Sequence, residues 1–215
     1  MVSVICIDIR VICVLSNCMK HGKFIVLHGA NNLGKSTQAK LLVEKMNQEG
    51  YQTEYLKYPI YDIMPSGKII NDYLRNNNPF NLSPREAQVI YALNRTQYQP
   101  TLEAKLSQGI NIVAEDYTGT GLAWGIGAGI DANYLKLINS HLLKEDLTLF
   151  LDGERFTNSI EQNHQYETDE QLWQKVRQAH LKLGEELGWI KINANLPIAE
   201  IHGIIWETIK NSLNS

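Results

Sequence analysis

Paired cysteines, basic runs, internal repeats and low-complexity tracts are all missing from this chain of 215 residues. Each absence removes a class. Without a Cys-x-x-Cys there is no zinc ribbon or thioredoxin-like redox pair. The three cysteines, Cys6, Cys13 and Cys18, are an odd number, so no disulfide framework is expected. Twenty Lys and Arg stand against 23 Asp and Glu, mixed along the chain to a net charge of −3, and no basic stripe offers itself to nucleic acid. No long uninterrupted apolar run occurs either. The segment Met1–Cys18 comes nearest, but Asp8 and Arg10 interrupt it, it lacks a basic start, and no cleavage site follows. No membrane or secretory role is expected from it. Residues 1–18 read as an extension outside the native protein, with Met19 as the start. The competing reading is an extra strand or arm that covers a sheet edge. The remainder, 19–215, is expected to form one cytoplasmic domain large enough to bury a substantial core.

What is present is concentrated in residues 29–37, Gly-Ala-Asn-Asn-Leu-Gly-Lys-Ser-Thr. Gly29, four residues, then Gly34, Lys35 and Ser36 make a complete phosphate-binding P-loop. An apolar run precedes it, Phe24-Ile25-Val26-Leu27, and a helical pattern follows, which is the context that gives the motif physical meaning. The amides of Gly29, Ala30, Asn31, Asn32, Leu33 and Gly34 and the following helix N-terminus are expected to surround polyphosphate oxygens. Lys35 supplies a point charge, the Ser36 hydroxyl a ligand for Mg²⁺, and Thr37 continues the site.

Strand and helix signals alternate through the rest. Phe24–His28 is the first predicted strand, and Lys35–Glu49 the P-loop helix with Gly50 as its stop. A strand over Gln52–Tyr58 ends at Pro59, and a short helix follows over Gly67–Asn76. Ser83-Pro84-Arg85-Glu86 is a capping box that opens a helix through about Gln97, with Tyr91 and Arg95 on one face. Pro100 is expected to break or kink it before a further helix to Gln108. Ile110–Glu115 reads as the third strand, followed by a glycine-rich stretch, Gly119 to Gly129. A helix over Asn133–Leu143, a strand over Leu147–Asp152, a polar candidate flap over Arg155–Thr168, a helix over Asp169–Leu187, a strand over Trp189–Ile192 and a helix over Ile198–Lys210 complete the pattern. This alternation predicts an α/β fold, a five-stranded parallel sheet with helices on both faces. Ligands in such sheets bind at the carboxyl ends of the strands, where the P-loop, Pro59, Glu115 and Asp152 all fall.

From about Lys23 to the last helix the chain resembles the thymidylate kinase family. The carrying segments are Phe24–Gln38, Lys57-Tyr58-Pro59, Leu82–Arg85, Tyr91 to Asn94-Arg95, Gly109 to Tyr117 and Asn193–Trp206. The resemblance implies a P-loop kinase core, a homodimer, ATP and Mg²⁺ as cofactors, and transfer of the γ-phosphoryl group to dTMP. By position, Tyr91 matches the aromatic that stacks on thymine, Arg95 the arginine near base and phosphate, and Thr120 and Trp124 the pocket wall. Lys57 stands where the family has an arginine that reaches the acceptor phosphate, with Tyr58 beside it. Asn31 stands where an acidic residue meets the sugar 3′-hydroxyl. Lys35, Glu115 and Arg95 are the catalytic candidates, and Ser36 and Glu115 the candidates for Mg²⁺.

Three departures stand out. The family's Asp-Arg-Tyr at the end of the third strand is Glu115-Asp116-Tyr117 here, so an acid replaces the arginine at position 116. If Asp116 faced the acceptor phosphate, the like-charge pair would cost about 4 kcal/mol at ~4 Å and an effective dielectric near 20. His28 replaces a carboxylate common in the family, and is expected to pack as a satisfied histidine. Neither the P-loop nor 160–168 carries the arginine that stabilises the transition state; Arg155 and Arg177 are the nearest candidates. Two other readings follow from these departures. One is a deoxynucleoside kinase that uses Glu115 as general base toward a hydroxyl. The other is a nucleotide-binding protein with degenerate kinase activity. Asp152 is expected to cap or turn the chain after its strand, and His164 to be solvated.

Overall fold

The computed structural model describes residues 21–156 and 169–213. The N-terminal extension with its three cysteines, most of the candidate flap and His164 lie outside the described residues. Five parallel strands form one sheet: β1 (Phe24–His28), β2 (Thr53–Lys57), β3 (Asn111–Glu115), β4 (Leu147–Asp152) and β5 (Ile190–Asn193), in the order β2-β3-β1-β4-β5. β1 is buried at all five positions, as a strand covered on both faces must be. The edge strands β2 and β5 are partly exposed. Register brings Leu27 level with Glu115, and Glu115 level with Lys57, so β1, β2 and β3 end together beside the P-loop.

Helices follow the strands: α1 (Lys35–Gln48), α2 (Ser66–Arg75), α3 (Pro84–Ser107), α4 (Thr118–Gly127), α5 (Ala132–Ile138), α6 (Glu170–Leu187) and α7 (Ile198–Leu213). Alternation along β1 divides the core. Ile25 and Leu27 pack with Leu42 and Met46 of α1 and with Ile205 and Ile209 of α7. Phe24 and Val26 pack with Leu102 and Leu106 of α3. Each such side chain, fully buried, contributes roughly 1.5–3 kcal/mol. Among the described residues no helix is long and apolar enough to cross a membrane.

Two expectations are corrected, and one stretch without an assigned element gains one. The helix opened by the capping box does not stop near Gln97. Pro100 lies inside one continuous helix that runs to Ser107. Burial of Leu102 and Leu106 beyond the proline holds the chain helical against its local preference. The glycine-rich stretch after β3 is helix α4, whose small residues let neighbours approach closely. A Cβ on Gly121 would lie 2.3 Å from Arg95 Nη2. The helix expected over 133–143 ends at Ile138 and is followed by turns. Elsewhere the element ends shift by one to three residues, with the capping box and Pro84 at the helix start as expected.

A buried histidine makes the fold acid-sensitive. His180 stacks on Phe150, with ring centroids 5.8 Å apart and planes within 7°. Its Nδ1 pairs with the Val176 carbonyl oxygen at 3.0 Å. Burial, aided by the charges of His28 and Lys35, pushes its pKa down to about 3 from the ordinary 6.5. Below the unfolded value the unfolded chain binds a proton that the native state refuses, so stability falls as pH drops from about 6.5 toward about 3. Urea unfolding at pH 7 and pH 5 should show a loss of ~2 kcal/mol attributable to this group, at ~1.4 kcal/mol per pH unit. A His180→Leu variant should lose that much less over the same interval. An equal loss in both proteins would refute the assignment.

Candidate active site

The P-loop begins where β1 ends. Gly34, with φ of 80°, occupies the N-cap of α1 in the left-handed region that glycine adopts at no steric cost. It offers no side-chain oxygen to the first turn, and that turn carries no acidic residue. The leading amides of α1 are therefore directed at the loop's hollow without a side-chain cap, the arrangement that binds anions. Asn32 also has a positive φ, 64°, which asparagine tolerates. Lys35 is buried, and its Nζ donates to the carbonyl oxygens of Gly29 at 2.9 Å and Ala30 at 2.8 Å. The lysine thus lies folded along the loop it serves.

Glu115, at the end of β3, gathers its surroundings. Ser36 Oγ donates to Oε1 at 2.8 Å, Lys57 Nζ lies 3.0 Å from the same oxygen, and Tyr55 OH donates to Oε2. Tyr55 and Lys57 sit two apart on β2 and so share a face. Burial opposes ionisation of Glu115, but the charges of Lys35 and Lys57 and the hydrogen bonds from Tyr55 and Ser36 outweigh it and hold its pKa below the usual range. The carboxylate is charged and paired with three donors.

Asp116, the acid at the end of β3, is held by its neighbours on two sides. The chain turns at this residue with φ of 63°, and its N–H bonds the Leu27 carbonyl oxygen at 3.1 Å. The carboxylate accepts from Thr120 Oγ1 at 2.9 Å and lies 3.6 Å from Lys35 Nζ. Burial and the nearby Glu115 raise its pKa against the pull of Lys35. On the far side of Thr120, Oγ1 meets His28 Nδ1 at 3.0 Å, and His28 Nε2 lies 3.5 Å from Glu145. His28 also packs against Trp189, centroids 4.6 Å apart. The two residues that depart in charge from the family pattern therefore meet through one threonine.

These groups border a cavity of about 710 Å³, within the range of small-molecule sites. The P-loop from Asn31 to Thr37 lines one end, whereas Gly29 and Ala30 contribute through their bonds to Lys35. Lys57, Tyr58, Tyr91, Arg95, Asp116, Thr120 and Trp124, the expected acceptor-side residues, all border it. Lys57 does so while paired with Glu115. Arg95 is buried, donates through Nη1 to Asn139 Oδ1 at 3.0 Å, and leaves Nε without a partner. Desolvation lowers its pKa, countered by Tyr117, Tyr58 and Tyr91 and by Asp116. Nine buried side-chain atoms lack a hydrogen-bond partner among the described residues, and five belong to residues bordering this cavity.

The two arginine candidates differ. Arg177 is fixed to Asp152 by bonds of 2.7 and 3.4 Å, which is where that aspartate's capacity goes. Arg155 pairs with Glu170 at 2.5 Å and lies over the Trp173 ring, whose Nε1 donates to the Asn31 carbonyl oxygen at 3.1 Å. The next residue, Phe156, donates its N–H to Asn32 O at 2.8 Å. Arg155 is thus anchored against the P-loop, and Arg177 against β4. Sequence reasoning missed Tyr55, Arg75 and Gln88. Tyr55 was legible as the same-face neighbour of Lys57, and Gln88 as a third member of the Tyr91–Arg95 face. Arg75, which donates to Tyr61 OH at 2.9 Å and borders the cavity, carries no such signal.

A model of the thymidylate kinase family matches residues 27–205. The thymidylate kinase of Dictyostelium discoideum is 30% identical, over 85% of this chain and 82% of that protein. The human thymidylate kinase is 28% identical, over 85% and 87%. Among solved structures, the thymidylate kinase of Candida albicans superposes with a TM-score of 0.76 at 27% identity, covering 90% of this chain and 93% of that one.

The Asp116 geometry is testable by stability alone. Asp116→Asn keeps the backbone preference and the Thr120 bond, and should change the unfolding free energy by less than about 1 kcal/mol. Asp116→Arg forces a second cation against Lys35, and should cost about 3 kcal/mol or more in urea denaturation. A neutral arginine variant would mean that the side chain faces the open cavity.

Proposed function

The chain belongs to the thymidylate kinase family, and we propose that it transfers the γ-phosphoryl group of ATP to dTMP, giving ADP and dTDP. The observation that carries this reading is a complete P-loop opening onto the same cavity as Tyr91 and Arg95. The P-loop amides and Lys35 take the β- and γ-phosphates, Lys35 exchanging its bonds to Gly29 and Ala30 for phosphate oxygens. An oxygen of the acceptor phosphate attacks the γ-phosphorus as the bond to the β–γ bridging oxygen breaks, and the electron pair leaves with ADP. That acceptor oxygen is already anionic, so no general base is required. Tyr91 stacks on the base, Arg95 bridges base and phosphate, Asn31 meets the sugar, and Thr120 and Trp124 close the wall.

Ser36 and Glu115 fit Mg²⁺. A hydroxyl and an ionised carboxylate in direct contact are hard oxygen donors, and no cluster of three or more acidic, His or Cys residues competes among the described residues. Such a sparse donor set suits an ion held mostly by nucleotide phosphates and water. When bound, Mg²⁺ neutralises charge between the β- and γ-phosphates. Glu115 as a general base toward a hydroxyl is disfavoured by its donors and lowered pKa. We further infer that Arg155, anchored beside the P-loop, exchanges Glu170 for the transferring phosphoryl group. A cytoplasmic homodimer is part of the same reading, and would cover exposed apolar side chains such as Val89 and Leu93 on α3.

ADP release should be measured with ATP, Mg²⁺ and a panel of deoxynucleosides and their monophosphates. dTMP should give the highest kcat/KM, and Lys35→Ala should abolish turnover. Arg155→Ala should lower kcat by about 10³ with ATP affinity little changed, and Arg177→Ala by less than about tenfold. ATP binding without turnover on any acceptor would overturn the reading in favour of a degenerate nucleotide-binding protein.

A further inference from the structure

On α3 the carboxamide oxygens of Gln88 and Gln97 are buried without a hydrogen-bond partner among the described residues, and of the two only Gln88 borders the main cavity. Asn94, on the same helix, is fully used. It accepts from Ile60 N–H at 2.8 Å and donates to Ile60 O at 2.8 Å and Ser66 Oγ at 3.0 Å. Gln88 is nearly as deep, with 6% of its surface exposed, yet its Oε1 is buried without a partner among the described residues. Leaving such an atom unpaired costs about 1–3 kcal/mol, which a fold recovers when a ligand supplies the missing group. The residue borders the main cavity. It stands three residues before Tyr91 and seven before Arg95, so all three project from one helical face.

We propose that Gln88 reads the polar edge of the acceptor base. A carboxamide presents one acceptor beside one donor, the complement of an imide edge in which a ring N–H adjoins a carbonyl oxygen. Thymine and uracil carry that edge. Oε1 accepts from the base N3–H, and Nε2 donates to an adjacent carbonyl oxygen of the base. Stacking on Tyr91 is indifferent to which base is present, because every base has a π-face. A hydrogen-bonding group at the edge discriminates more steeply, since a base without the matching groups leaves the buried amide unpaired. Gln88 is thereby a specificity-determining residue, and this assignment rests on the dTMP reading above.

The test compares wild type, Gln88→Ala and the near-isosteric Gln88→Glu with dTMP and N3-methyl-dTMP, measuring KM and kcat separately. Wild type should lose about tenfold in kcat/KM on N3-methylation, mostly through KM. Gln88→Ala should raise KM for dTMP by about tenfold and suffer little further from the methyl group. Gln88→Glu, which keeps shape but replaces the donor with a charge, should also raise KM for dTMP. Equal methylation penalties in wild type and Gln88→Ala, or a dTMP KM within about twofold of wild type in both variants, would overturn the proposal and leave the dTMP reading standing. Absence of an N3-methyl penalty in wild type overturns it without recourse to any variant. Absence of dTMP turnover in wild type overturns both.

Discussion

The site depends on the contacts of Glu115. This carboxylate sits at the end of β3, next to the strand that feeds the P-loop, and it draws in Ser36 from α1 and both Tyr55 and Lys57 from β2. Three consecutive layers of chain are thus tied at one point. Buried alone it would be costly, because ionised carboxylates are rarely tolerated away from water. With two hydroxyls and a lysine it is ionised, and it fixes the Ser36 hydroxyl at the first turn of the P-loop helix. The same contacts hold Lys57 beside Glu115 at the border of the cavity.

The second constraint is a change of side-chain chemistry at two positions beside the first. Position 28 exchanges an acid for a histidine, and position 116 exchanges an arginine for an acid. Taken one at a time, each replacement reads as damage to a kinase. The fold places them on either side of Thr120, with Lys35 beyond Asp116 and Glu145 beyond His28. Both changes then belong to one arrangement, in which the negative partner of the pair has moved next to the phosphate-binding lysine. Asp116 lies 3.6 Å from Lys35 while still bordering the cavity, so an acceptor phosphate near it would meet Lys35 as well. The backbone at 116 is left-handed, with φ of 63°.

The sheet and its order of helices were legible because periodicity is a local property. β1 and β4 fall where the apolar runs place them, since a central parallel strand must be apolar at nearly every position. What escaped was decided by contacts distant in sequence. The continuation of α3 through Pro100 depends on Leu102 and Leu106 finding β1 and β3, and no local propensity reports that. The helix over Gly119–Gly127 was hidden by its glycines, which weaken a helix in isolation yet are needed for Arg95 and Trp189 to lie against it. A motif aligns residue names and not side-chain partners, so the contacts of Asp116 with Thr120 and Lys35 were not legible in it.

A related consideration decides how the arginine deficit should be weighed. Phosphoryl transfer needs cationic stabilisation at the transferring group, but the sequence position of that cation is not dictated by the chemistry. Here the segment after β4 returns directly to the P-loop: Phe156 bonds Asn32, and Trp173 bonds Asn31. Arg155 is carried there between them, stacked on Trp173 and held by Glu170. The Arg155 side chain is only 11% exposed whereas that of Glu170 is 57% exposed, so exchanging Glu170 for a phosphoryl oxygen would release a solvated carboxylate and keep the guanidinium paired with an anion. Arg177, with two bonds to Asp152, has more to lose. The absence of arginine from the P-loop itself is therefore compatible with catalysis, because the loop's neighbours in space include one that its neighbours in sequence do not.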